Sequence, residues 1–241
     1  MTQNEEADLW DRLSQSRRGS LDPAWLGEIY SPGLSHDLRI AVSEKLGMMA
    51  DHGWPIIRDL LEDHGLQKEL VLAAGLCHQL EARDWLISQL NADDDEFIQT
   101  VLEALACWGA DLPEDLISKC LTHPGQKRRL AGLQLLTFRA HRISDNKILE
   151  LCDEPLNDFR EPVVIATIKL LQRRDGELIT SRLAELSYHE SDAICKASLL
   201  ALGCIATTAS REKLQDLSQR LQQPNRREEA IKQLKYQFRN H

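Results

Sequence analysis

One spacing recurs along this chain and limits what it can fold into. A small residue, or a threonine, stands five positions before a leucine at Ala41/Leu46, Gly75/Leu80, Thr100/Leu105, Ala131/Leu136, Ala166/Leu171 and Ala197/Leu202, with turn residues between successive pairs. The segment Ser191–Pro224 shows what each copy encodes. Ser191 can cap a helix, because its hydroxyl accepts from an orphan backbone N–H one turn on. Ile194, Ala197, Ala201, Leu202 and Ile205 then recur at the helical period and share one face. Thr207-Thr208-Ala209-Ser210 interrupts the pattern, and Leu214, Leu217 and Leu221 form the apolar stripe of a second helix that ends before Pro224. Neither helix can bury its stripe alone, and a pair still leaves an apolar face, so the copies must stack.

The same unit is expected over 36–65, with a second helix at Trp54–Glu62, and again over 66–94, 95–125, 126–158, 159–190 and 191–224. Residues 1–35 read as an N-terminal capping unit, with Leu9, Trp10 and Leu13 on a short stripe, Asp22-Pro23 as a helix start and Ser31-Pro32-Gly33 as a stop. Residues 225–241 read as a C-terminal capping helix with Ile231, Leu234 and Phe238 inward. No stretch alternates with the period of a strand. The expectation is a single domain over 1–241, an all-α α-solenoid of about six to seven helix pairs.

This pattern resembles HEAT-like repeats, and in style the short repeats of the phycobilisome (bilin) lyase family. The residues that carry the resemblance are the acidic-then-basic helix starts at Asp37/Arg39 and Asp192/Lys196, the small-residue–leucine pairs, and second helices such as Leu214/Leu217. It covers about residues 36–224. It implies an armadillo-like superhelix that binds protein on its concave face; the lyase branch adds a chaperone-like role in holding a bilin and its acceptor protein beside a second HEAT-like chain. No lyase motif is matched, so no active residues carry over.

Composition narrows the function classes. The net charge of −9 and a pI of about 5.4 speak against broad nucleic-acid binding. No apolar run reaches membrane-spanning length and the first residues are acidic, so the expectation is a cytoplasmic protein without membrane contact. The six cysteines show no CxxC and fall inside apolar helical patterns, where small buried core residues are expected. Cys77 and His78 are adjacent and point about 100° apart on a helix, so they do not chelate together, and no metal is expected. No P-loop, GxGxxG, GxSxG or HExxH occurs, and only one His-Glu dipeptide, His189-Glu190, is present. No catalytic residue and no cofactor are therefore assigned.

The sharpest remaining signal is charge. Residues 1–120 hold 23 acidic and 9 basic side chains, a net of −14, whereas residues 121–241 hold 15 and 20, a net of +5. Asp93, Asp94 and Asp95 mark the acidic half, and Arg128, Arg129, Arg173 and Arg174 the basic half. All five tryptophans lie before residue 109; Trp54, beside Gly53 and Pro55, is expected to be partly exposed, and Trp85 is the second candidate contact. Together these residues are the candidate partner-binding set of a scaffold or chaperone-like adaptor. A bilin lyase subunit is the alternative reading. A HEAT-like alkyl-base DNA glycosylase is a further one, and the placement of the tryptophans in the acidic half speaks against it.

Overall fold

The computed structural model describes residues 3–14, 21–92 and 94–239, with side chains for 6–14, 21–92 and 94–237. These residues form helices and no strand. The chain divides into two compact units. The first, Met1–Gly109, holds α1 (Gln3–Ser14), α2 (Pro23–Ile29), α3 (His36–Gly47), α4 (Gly53–His64), α5 (Lys68–Leu76), α6 (Leu80–Gln89) and α7 (Asp95–Ala106). The second, Ala110–His241, holds α8 (Glu114–Leu121), α9 (Gln126–Arg139), α10 (Asp145–Leu156), α11 (Glu161–Leu171), α12 (Glu177–Leu186), α13 (Asp192–Ile205), α14 (Thr208–Arg220) and α15 (Pro224–Arg239).

Each unit has two layers. The first helices of successive repeats pack side by side, α3 on α5 on α7 in one unit and α9 on α11 on α13 on α15 in the other. The second helices, α4 and α6 or α8, α10, α12 and α14, form the other layer and touch one another less extensively. The apolar residues of the repeat pattern lie between layers: Leu38, Val42 and Leu46 of α3, Ile98, Val101 and Leu105 of α7, and Leu199 and Leu202 of α13 are fully buried. Each such side chain contributes roughly 2 kcal/mol of burial.

The helix starts are where their caps require. Asp22 accepts from the Ala24 N–H at 3.0 Å with Pro23 in the first turn, Ser144 from Lys147, Ser191 from Ile194 and Thr207 from Ser210. Close approach of first helices depends on Gly75, where a Cβ would overlap the carbonyl oxygen of Ala104 on α7. Gly75→Val is therefore expected to force α5 and α7 apart and to destabilise their unit by about 2–3 kcal/mol, read as a lowered urea midpoint.

Three expectations need correction. Leu80 does not lie on the first helix of its repeat; it opens α6 and is 62% exposed. Aligned by its glycine, α5 carries Glu69 where Ala41 stands on α3, buried because the Tyr30 hydroxyl donates to its Oε1 at 2.9 Å and Arg39 Nε lies 3.2 Å from the same oxygen. Cys107 and Cys204 are exposed rather than core, because each sits at the outward end of a first helix; Cys77, Cys120, Cys152 and Cys195 are buried. Ile231 faces solvent on α15, while the side chain of Phe238 lies outside the described residues. No described helix is long and apolar enough to cross a membrane.

Candidate functional site

Counting from the small residue of each first helix locates an outward row. Three positions after Ala131, Ala166 and Ala197 stand Gln134, Lys169 and Leu200; four further on stand Phe138, Arg173 and Cys204. Residues four apart on a helix stack on one face. All six are exposed. Between neighbouring first helices these rows line grooves. The α9–α11 groove, of about 430 Å³, has Leu130, Phe138 and Ala166 beside Lys169 and Arg173. The α13–α15 groove, of about 600 Å³, has Leu200, Cys204 and Tyr236 beside Lys196 and Lys232. The other unit repeats the feature between α3 and α5, about 520 Å³, with Ile40, Leu72 and Leu76 as floor and Glu44 and Lys68 at its rim. Phe138, Leu200 and Tyr236 are 41%, 46% and 49% exposed, so large apolar side chains stand in water on α9, α13 and α15.

Charge along the rows follows the unit. After their first residues, α9, α11 and α13 contain no acidic side chain at all. Glu161 and Asp192 open α11 and α13, where the helix dipole favours an anion. In the other unit the place of Leu200 is taken by Glu44 on α3 and Glu103 on α7.

The arginine pairs singled out from sequence are split by the fold. Arg129 donates to the carbonyls of His123 at 2.6 Å and Thr122 at 3.3 Å and lies 3.1 Å from Asp158. Arg174 donates to Asp145, to the carbonyl of Ala140 and to that of Ile143 at 2.9 Å. Gly176 makes room for that contact, since a Cβ there would overlap the Asp145 carboxylate. Arg139, Arg160 and Arg226 repeat the device, donating to Leu112, Pro124 and His189 carbonyls, each at 2.7 Å. These arginines staple one linker to the next repeat and are unavailable to a partner. Arg173 is left outside, on the α9–α11 groove, while Arg128 is half-buried.

Trp54 is 5% exposed, not partly exposed as expected, because Gly53 lets the start of α4 close on Leu46; its indole N–H has no partner, and its ring lies 5.9 Å from that of half-buried Trp85. Asp93 lies outside the described residues. Asp94 caps α7, accepting from Glu96 and Phe97 N–H groups, and Asp95 is the exposed first residue of that helix.

Burial pushes the thiols up, Cys77 to about 12, Cys120 to about 11 and Cys152 to about 12, away from nucleophilic ionisation. Among the described residues no three His, Cys, Asp or Glu side chains are grouped to hold a metal. Of the residues that line the grooves, Phe138, Lys169, Leu200, Lys232 and Tyr236 were not singled out by composition or motif, and Lys196 was read only as part of a helix start. The signal that finds Phe138, Lys169 and Leu200 is the outward offset from the repeated small residue.

No protein-family model matches the chain, and no curated protein matches it. Solved structures that resemble it include the complex of CpcE and CpcF of phycocyanin lyase from Nostoc sp. PCC7120, at 14% identity over 90% of this chain and 95% of that one, TM-score 0.47. Human deoxyhypusine hydroxylase in complex with glycerol is 18% identical over 95% and 90%, TM-score 0.44. A designed armadillo repeat protein in complex with the peptide (KR)4 is 17% identical over 90% and 99%, TM-score 0.40. These likenesses stand beside the helical-repeat fold visible in the chain's own helices and carry nothing about activity.

Proposed function

We propose that this chain is a non-enzymatic scaffold that grips a protein partner along the outward rows of its first helices. The observation that supports this reading is recurrence: a groove with an apolar floor and charged rim lies between α3 and α5, between α9 and α11, and between α13 and α15. Single exposed apolar residues are ordinary on a protein surface, but large ones set in successive grooves with charged rims are the mark of a contact surface. Within each unit the first helices are the more closely packed layer.

The test is differential capture. Tagged wild-type chain, a Phe138→Glu/Leu200→Glu variant and a Leu178→Glu variant are each used to capture proteins from the source cell, with mass spectrometry as readout. Leu178 is 50% exposed on α12, in the other layer. The expected result is a protein retained by wild type and by the α12 variant and lost with the groove variant, all three showing the same helical circular dichroism. If no protein distinguishes the groove variant from the other two, the reading falls.

A further inference from the structure

We infer that the grooves of the second unit take an acidic segment carrying apolar anchors, bound as an extended strand of the partner across α9, α11, α13 and α15. This rests on the protein-binding reading above and names the chemistry of what is bound. The first ground is charge. Lys169, Arg173 and Lys196 are exposed along the groove rims and make no ion pair among the described residues. Lys232 has one neighbour, Glu229, at 3.4 Å, and remains 53% exposed. The acids nearest this rim are Asp192, which Arg226 holds at 2.6 Å, and Glu229 of α15, only 18% exposed and accepting from Gln233, so the cations outnumber them along the grooves. Arg129, Arg160, Arg174 and Arg226 are held by carbonyls and carboxylates of the fold, whereas the cations on these groove rims are open to a partner.

The second ground is the floor. Exposed Phe138 in one groove and Leu200 with Tyr236 in the other provide apolar contact between the cations. A binder must therefore carry carboxylates and apolar side chains together, which a purely anionic polymer does not supply. Spacing follows from packing. Adjacent helices lie about 10 Å apart, so the two grooves, two helix spacings from each other, are separated by about 20 Å. An extended chain rises about 3.3 Å per residue, which places two anchors roughly six residues apart with acidic residues between them.

The probe is a fluorescein-labelled 14-residue peptide of glutamate and serine with two phenylalanines six positions apart, followed by anisotropy on the full chain. Controls are the same peptide with lysine for glutamate, and a 14-nucleotide uridylate RNA. The acidic peptide is expected to bind, to weaken as salt rises because the rim contacts are screened, and to bind at least 10-fold more weakly to Lys169→Glu/Arg173→Glu/Lys196→Glu. These positions are exposed, so the variant should keep its melting temperature. The inference is overturned if the acidic peptide does not bind, if the triple variant binds it equally, or if the lysine peptide or the RNA binds as tightly. Sedimentation that shows salt-sensitive self-association, abolished by the triple variant and not displaced by the peptide, assigns the surface to a second copy and overturns it as well. Should capture depend on Phe138 and Leu200 while the peptide fails, only this inference falls and the scaffold reading stands.

Discussion

Asp158→Asn is expected to destabilise the second unit by about 3 kcal/mol, because it removes one member of a buried charge cluster and leaves its partners uncompensated. The Asp158 side chain is 1% exposed. Its Oδ1 accepts from the Arg160 backbone N–H at 2.9 Å and from Arg160 Nε at 2.8 Å, and its Oδ2 lies 2.8 Å from an Arg160 terminal nitrogen and 3.1 Å from Arg129. The side chains of Arg160 and Arg129 are themselves only 16% and 13% exposed. Asparagine keeps the shape and some of the hydrogen bonds but not the charge. The urea midpoint of the variant should fall at neutral pH with the slope unchanged.

The same residue sets a pH dependence of known sign. Burial by itself would raise the Asp158 carboxyl, but the hydrogen bonds from Arg160 and the positive charge of both arginines outweigh it and hold the group below the usual carboxylate range. A carboxyl depressed in the folded state contributes stability above its unfolded pKa of about 3.9, and that contribution disappears as pH falls through the folded value. The gap between wild type and Asp158→Asn should therefore be full at pH 7 and close below about pH 4. A gap of the same size at both ends would mean that the charge is irrelevant.

The second large effect is Ala201→Glu. Ala201 is fully buried on α13, which packs against α11, α12, α14 and α15, so a carboxylate there must be desolvated or protonated. A loss of about 4 kcal/mol or more is expected, against a change within about 0.5 kcal/mol for Glu212→Ala on the exposed side of α14. Melting temperatures of the two variants measure the difference directly; similar values would show that α13 does not bury this side.

The repeat architecture was legible because its signal is redundant. Five of the six small-residue–leucine pairs lie within one first helix, and the caps at Asp22 and Ser191 sit where they were read. The exception, Gly75/Leu80, failed because Glu69 occupies the usual small position. A buried glutamate is tolerable there only with Tyr30 and Arg39 beside it, and those partners lie some 30 to 40 residues earlier in the chain, beyond any local pattern. The fate of the arginine pairs was illegible for a related reason. Arg173 and Arg174 are adjacent and chemically identical, yet in the turn that follows α11 one is sent to solvent and the other to carbonyls of the preceding linker. A count of charge by segment treats both as surface. The candidate grooves needed the outward offset from each repeat's small residue, which is meaningful only once the helices carrying it are known to be neighbours.

Those arginine staples also have a direction in time. Among the described residues, each arginine-to-carbonyl bond that bridges repeats runs from a later residue to an earlier one: Arg139 to Leu112, Arg160 to Pro124, Arg174 to Ala140, Arg226 to His189. On the ribosome the acceptor therefore always emerges before its donor. Each linker leaves synthesis with carbonyls that only water satisfies, and the arginine that will hold them follows about one repeat, roughly 30 residues, behind. Growth of the folded part can then proceed by addition at its C-terminal edge, each new repeat docking on a surface already built and never waiting for sequence still unmade. A nascent chain truncated just before residue 226 would be expected to hold its earlier repeats while the His189 and Glu190 carbonyls stay bonded to water, a change read from their carbonyl carbon shifts.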